Sequence, residues 1–85
     1  MNTTDIITEI VCENLDLEAE TVDKEASFFE IGGNSLTAYI VIEDIAERLR
    51  VELKTEELME HNSISYISAL VEEKLKTVRI SNSRV

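Results

Sequence analysis

At 85 residues and 9.6 kDa, with 44% hydrophobic and 31% charged side chains, the chain has room for one small folded domain with a thin core. Its single cysteine, Cys12, excludes an internal disulfide. Its longest apolar run, residues 38–42, is too short for a membrane span or a signal core, so a cytoplasmic location is expected. Residues 1–75 hold all eighteen acids against five bases, a net −13, which repels nucleic acid and anionic lipid and attracts a partner with a basic face.

Residues 4–15 are predicted as a helix, because Ile6, Ile7, Ile10, Val11 and Leu15 recur at three- and four-residue spacings. Thr3 or Thr4 is expected to cap it, with Asp5 in the first turn. Residues 16–34 show no sustained period and read as a long loop pinned by Leu17, Val22, Phe28 and Ile31. Within it Ser27 and Glu30 fit a capping box, which predicts one helical turn around Phe28 and Phe29. Residues 35–50 are predicted as the longest helix, capped by Asn34, with Leu36, Val41, Ile42, Ile45, Ala46 and Leu49 at helical spacing. After a short extended link, Thr55 is expected to cap a helix to Glu60 that turns Leu58 and Met59 inward. Asn62 or Ser63 then opens a last helix through Leu75, with Ile64, Ile67, Leu70, Val71 and Leu75 inside. The fold class is therefore all-α, a three- to four-helix bundle with one long connection. Residues 1–76 form the domain, and the polar, basic residues 77–85 are expected to be a frayed tail.

Common catalytic signatures are missing from the sequence. It has no Cys or His pair, no phosphate-binding glycine loop and no calcium loop. His61 lacks a second ligand at metal spacing, and acid pairs such as Glu56–Glu57 read as solvated helix faces. No enzyme activity and no metal are expected.

What remains is the centre of the chain, Phe28-Phe29-Glu30-Ile31-Gly32-Gly33-Asn34-Ser35-Leu36. Two glycines remove side-chain bulk just before a helix and open the backbone to close approach by another macromolecule. Asn34 then presents Ser35 at the first helical position, where the dipole and exposed N–H groups favour an anion such as a phosphate ester. No His or Lys stands out as a base to activate this hydroxyl, so the arrangement suits a serine modified by another enzyme. Taken alone, Gly-Gly-Asn-Ser is equally a turn and a helix cap.

The longer string Phe-Phe-Glu-Ile-Gly-Gly-Asn-Ser-Leu, followed by Thr-Ala-Tyr-Ile-Val-Ile-Glu-Asp-Ile, closely resembles the prosthetic-group attachment site of the carrier proteins. These are the acyl carrier proteins of fatty-acid and polyketide synthesis and the peptidyl (thiolation) carriers of nonribosomal peptide synthesis. The resemblance extends from residue 4 to about 75. It implies that Ser35 carries covalent 4′-phosphopantetheine, taken from coenzyme A by a phosphopantetheinyl transferase, with Gly33, Asn34 and Leu36 framing the attachment. It implies a partner-binding face of Leu36, Tyr39, Ile40, Glu43 and Glu47, with Met59 and Ile64 as outlying members. The partners implied are an adenylating or acyl-loading enzyme and downstream condensing, tailoring or thioesterase enzymes. A monomer is expected.

The Gly-Gly doublet and Phe-Phe-Glu lead-in resemble more the peptidyl carriers and related polyketide carriers, which implies acyl, aminoacyl or peptidyl thioesters in nonribosomal peptide or polyketide synthesis. Fatty-acid carriers usually have Asp where this chain has Asn34. With that charge gone, recognition by the transferase is expected to fall more on Glu30, Glu43 and Asp44. A discrete carrier acting in trans, with an aminoacyl or peptidyl cargo, is the first reading. The alternative is a non-enzymatic acidic helical adaptor that binds a basic partner and uses Ser35 as an ordinary cap.

Overall fold

The computed structural model describes residues 2–60 and 62–83, with side-chain detail through residue 76. It contains four helices in the order α1 (Thr3–Leu15), α2 (Ser35–Leu49), α3 (Thr55–Glu60) and α4 (Ile64–Ser83). Among the described residues the only β pairing is an isolated bridge between Ser27 and Ser63, so the all-α expectation holds.

Helix α1 packs against both α2 and α4, and α3 packs against α2. The core draws Ile7, Ile10 and Val11 from α1, Ala38, Val41 and Ile45 from α2, Leu58 from α3, and Ile64, Ile67 and Val71 from α4. The sets from α1, α2 and α4 repeat at three- and four-residue intervals, which is why one face of each of these helices is dry. Phe28, Val51 and Leu53 enter the same core from the connections.

The start of each helix is set by a side chain or backbone partner for its orphan N–H groups. Asn2, rather than Thr3 or Thr4, caps α1, its Oδ1 accepting from the Asp5 N–H at 2.9 Å. Lys54, rather than Thr55, precedes α3: its carbonyl accepts from Glu57 and Leu58, and its N–H donates to Glu57 Oε1 at 2.9 Å. Ser63 caps α4, its Oγ accepting from the Tyr66 N–H at 3.1 Å. Helices α1 and α2 end on non-glycine residues in the left-handed region, Asp16 (φ 59°) and Arg50 (φ 58°).

Three further expectations are corrected. Leu17 is exposed and pins nothing. Met59 points outward, because the short helix α3 has one buried position and Leu58 fills it. Helix α4 runs on to Ser83 through much of the segment expected as a tail. No glycine or proline follows Gly33, so nothing in that stretch breaks a helix already propagating from a packed turn. Residues 84 and 85 lie outside the described residues. No described helix is long and apolar enough to cross a membrane.

Helices α3 and α4 are tied at the surface by Glu57 and Lys74, whose charged atoms lie 3.0 Å apart. The Lys54 N–H and then the Lys74 ammonium hold the Glu57 carboxyl below its ordinary value. A carboxylate depressed in the folded state adds stability above its unfolded pKa of about 4.3, and that contribution is lost as the pH falls through the folded value. The Glu57→Gln variant is therefore expected to be less stable at pH 7, by under about 1 kcal/mol because the pair is part-exposed and screened. Urea titrations should show the gap closing below about pH 4.

Candidate functional site

The loop spanning residues 16–34 is fastened at its far end to the start of α4. The Phe28 N–H donates to the Asn62 carbonyl, the Ser65 N–H donates to the Lys24 carbonyl at 3.1 Å, and Ser65 Oγ donates to Glu25. The predicted box is present: the Ser27 N–H donates to Glu30 Oε1 at 2.9 Å, and the Glu30 N–H donates to Ser27 Oγ at 3.0 Å. One helical turn follows and ends abruptly at the glycines. The Gly33 N–H returns to the Phe28 carbonyl at 2.9 Å and the Gly32 N–H to the Phe29 carbonyl at 3.3 Å, while Gly32 takes φ +110°. This pairing is the Schellman pattern, and it needs a residue free to adopt positive φ at the position of Gly32.

Gly33 has a different reason to be glycine. A Cβ built there would lie 2.6 Å from Cζ of the Phe28 ring and closer still to two other ring carbons. The ring is fully buried, so it occupies the volume that any larger residue would require. The glycine pair therefore serves the chain's own packing at Gly33, rather than only leaving room for a visiting molecule. Phe29, T-packed on Phe28 with ring centroids 5.8 Å apart, stays partly exposed.

The next residues form a reciprocal capping box. Asn34 Oδ1 accepts from the Thr37 N–H at 3.0 Å, and Thr37 Oγ1 accepts from the Asn34 N–H at 2.8 Å. The cap predicted at Asn34 is present, and Thr37 is the partner that the sequence reading missed. Its position three residues after the cap is the signal that was available. Removing the cap with Asn34→Ala is expected to cost about 1 kcal/mol in thermal or urea unfolding, with the helix content otherwise unchanged.

Between the two box residues lies Ser35, exposed at the first position of α2. Among the described residues its hydroxyl takes no hydrogen bond, and the cap is made by Asn34. Serine here is thus not explained by capping. A free, primary hydroxyl at a helix start is the group to which a phosphodiester can be joined, and the helix's positive end favours the resulting anion.

From this point the outer face of α2 runs away from the serine. Leu36 is 69% exposed and Tyr39 56%, with Ile40, Glu43 and Glu47 also on the surface. Leu36, despite its helical spacing to the core residues, belongs to this outer face. Of the acids singled out beside the serine, Glu30 is engaged with the Ser27 N–H and Asp44 accepts from Asn14 Nδ2 at 2.9 Å. Arg48 on α2 bridges Glu9 and Glu13 of α1 at 3.1 and 3.2 Å, which neutralises part of the acidic surface between those helices.

Met59 is exposed, but Ile64 is only 1% exposed and packs in the core. Its assignment to a partner face is corrected, because it sits in the first turn of α4 on the stripe with Ile67 and Val71. Among the described residues no group of three or more His, Cys, Asp or Glu side chains is placed to hold a metal ion. His61 lies outside the described residues. Burial pushes the Cys12 thiol up from its ordinary value, which leaves it protonated and unreactive.

A small helical bundle that displays an exposed serine at the start of its second helix has the architecture that a carrier needs. Comparison with known proteins agrees: residues 5–71 match the family described as "Phosphopantetheine attachment site". The chain is 36% identical over 70 residues to the acyl carrier protein of Streptococcus thermophilus, covering 82% of this chain and 92% of that one. It is 35% identical over 57 residues to nonribosomal peptide synthetase 30 of Fusarium vanettenii, covering 67% of this chain but only 1% of the synthetase. The crystal structure of a free-standing peptidyl carrier protein from an Acinetobacter baumannii secondary metabolic pathway superposes with a TM-score of 0.73. That match is 28% identical and covers 82% of this chain and 89% of that one.

The chain belongs to the phosphopantetheine-attachment family. It is a carrier protein of the acyl and peptidyl carrier type and not an enzyme. Members of this family carry covalently attached 4′-phosphopantetheine. The group's thiol supplies a flexible thioester link to the cargo.

Proposed function

We propose that Ser35 is the residue that bears 4′-phosphopantetheine, joined by a separate phosphopantetheinyl transferase that uses coenzyme A. The observation that carries this reading is the exposed Ser35 hydroxyl, unengaged by the cap beside it, at the start of α2. Helix geometry leaves the Ser35 and Leu36 N–H groups without partners inside the helix, so they would be available to a phosphate joined to Ser35. Gly33 and Asn34 hold the serine in place through packing and capping, and Leu36 flanks it on the outer face.

The cargo is an aminoacyl or peptidyl group held as a thioester. This reading is supported by Asn34 in place of the Asp usual in fatty-acid carriers and by the likeness to a free-standing peptidyl carrier. An adenylating or acyl-loading enzyme charges the arm, and condensing, tailoring or thioesterase enzymes discharge it. The chain acts as a cytoplasmic monomer. Leu36, Tyr39 and Ile40 supply apolar contacts to these enzymes, Glu43 and Glu47 meet their basic residues, and Met59 extends the face toward α3.

The test is intact-protein mass after incubation with coenzyme A and a broad-specificity transferase, followed by a panel of adenylating enzymes with amino acids. The expected result is a gain of one phosphopantetheine and then of one aminoacyl group. No gain in a folded sample would overturn the attachment reading and leave the acidic adaptor in its place. Recovery from cells of long-chain acyl thioesters alone would overturn the aminoacyl cargo.

A further inference from the structure

The geometry points to Tyr39 as the rest for the phosphopantetheine arm, a contact within the free carrier made before any partner enzyme arrives. This inference rests on attachment at Ser35. On a helix, the residues that lie beside position 35 on the C-terminal side are 38 and 39. Ala38 is fully buried and offers nothing to solvent, whereas Tyr39 is 56% exposed. Long helical side chains lean toward the N-terminus, so the phenol ring of Tyr39 lies over the turn that begins with Ser35.

The other exposed apolar groups nearby stand off the line that runs from Ser35 along the helix. Phe29, on the loop side, presents its ring to Phe28 in a T-shaped pair. Leu36 is turned about 100° around the helix from Ser35, and Ile40 lies one turn beyond Leu36 on that same neighbouring row.

The chemistry of the arm fits this position. Beyond the phosphodiester come one methylene and a quaternary carbon bearing two methyl groups, which places the first apolar part of the arm about one helical turn, ~5.4 Å, from the serine. An exposed aromatic face at that reach covers the methyl pair, while the phenol hydroxyl stays in water or meets the polar groups that follow. The arm is then laid along the outer face of α2, toward Ile40 and Glu43, instead of back over the loop.

The experiment uses three proteins loaded with unlabelled coenzyme A and transferase: the parent, Tyr39→Phe and Tyr39→Ala. Intact mass establishes loading, and NMR then records the two methyl resonances of the arm. In the parent and in Tyr39→Phe, which keeps the ring, the methyl signals are expected to be displaced upfield from their positions in free pantetheine and to show cross-relaxation with the ring protons. In Tyr39→Ala the displacement should be lost. Methyl positions that are the same in all three loaded proteins would overturn the inference while leaving the attachment intact. Absence of the mass gain in the folded parent would overturn the attachment itself, and the arm rest with it.

Discussion

Ser35→Ala is expected to fold as the parent does and to gain no mass on incubation with coenzyme A and a phosphopantetheinyl transferase. The two halves of this result have separate causes. Stability is preserved because the first turn of α2 is held by the Asn34–Thr37 box, in which the serine takes no part. An exposed substitution that touches no cap or core contact changes stability by about 0.5 kcal/mol or less, and alanine is the best helix former. Attachment is lost because the nucleophilic oxygen is gone, and no neighbouring hydroxyl replaces it: Thr37 Oγ1 is tied to Asn34 on both its donor and acceptor sides. Circular dichroism and intact mass read the two halves. A variant that folds and is still modified would place the arm elsewhere. A folded, unmodified variant that keeps full pathway activity would remove the carrier role of this residue and return the adaptor.

The largest loss of stability is expected from the loop rather than from a helix. Phe28→Ala should cost about 3–5 kcal/mol, as truncation of a fully buried aromatic ring removes its apolar contacts and leaves a cavity. Domains of this size melt about 4–8 °C lower for each kcal/mol lost, so the midpoint should fall by very roughly 12–40 °C. Gly33→Ala attacks the same contact from the other side. Its new methyl would overlap the ring, and overpacking of this kind costs about 1–3 kcal/mol.

The two sites are in direct contact, so their effects should not add. Combined with Phe28→Leu, which removes part of the ring's bulk, Gly33→Ala should be less harmful than it is alone, a coupling measurable by a double-mutant cycle in urea. Strict additivity would mean that the glycine is required by its backbone and not by the ring. Loss of this contact also bears on function. The ring lies under the glycine that immediately precedes the Asn34 cap, so loosening it frees the approach to Ser35, and slower modification by the transferase is expected in Phe28→Ala even where the protein remains folded.

Helix type and helix faces were legible from spacing alone. The stripes of α1, α2 and α4 name most of the core residues those helices supply, Ala38 excepted, because a bundle this small has one core and each helix meets it along one face. The family was legible for a different reason, the resemblance of the string from Phe28 to Leu36 to a known attachment motif. The residues from Phe28 to Asn34 perform packing, turn and cap in sequence, so their identities are constrained at several positions.

Where the sequence reading went astray, two outcomes shared one local signal. Met59 and Leu58 are adjacent apolar residues on a short helix, and only the direction in which α3 meets α2 decides that Leu58 is buried and Met59 is not. Ile64 and Leu36 are each an apolar residue in the first turn of a helix, yet Ile64 is enclosed and Leu36 is the more exposed. Spacing gives the period of a stripe but not its outer margin.

By its sequence alone this protein is determined to be an acidic, all-helical domain with a serine at the head of its second helix. Periodicity, capping residues and charge are local properties of a chain, and they survive without knowledge of what touches what. The tertiary structure decided the rest: that Gly33 is small because the Phe28 ring lies against it, that the loop is latched to α4 through Asn62 and Ser65, and that Asp44 and Arg48 are spent between α1 and α2. These are contacts between residues far apart in the chain, fixed by how four helices share one thin core. Their partners become known only when the chain is closed on itself.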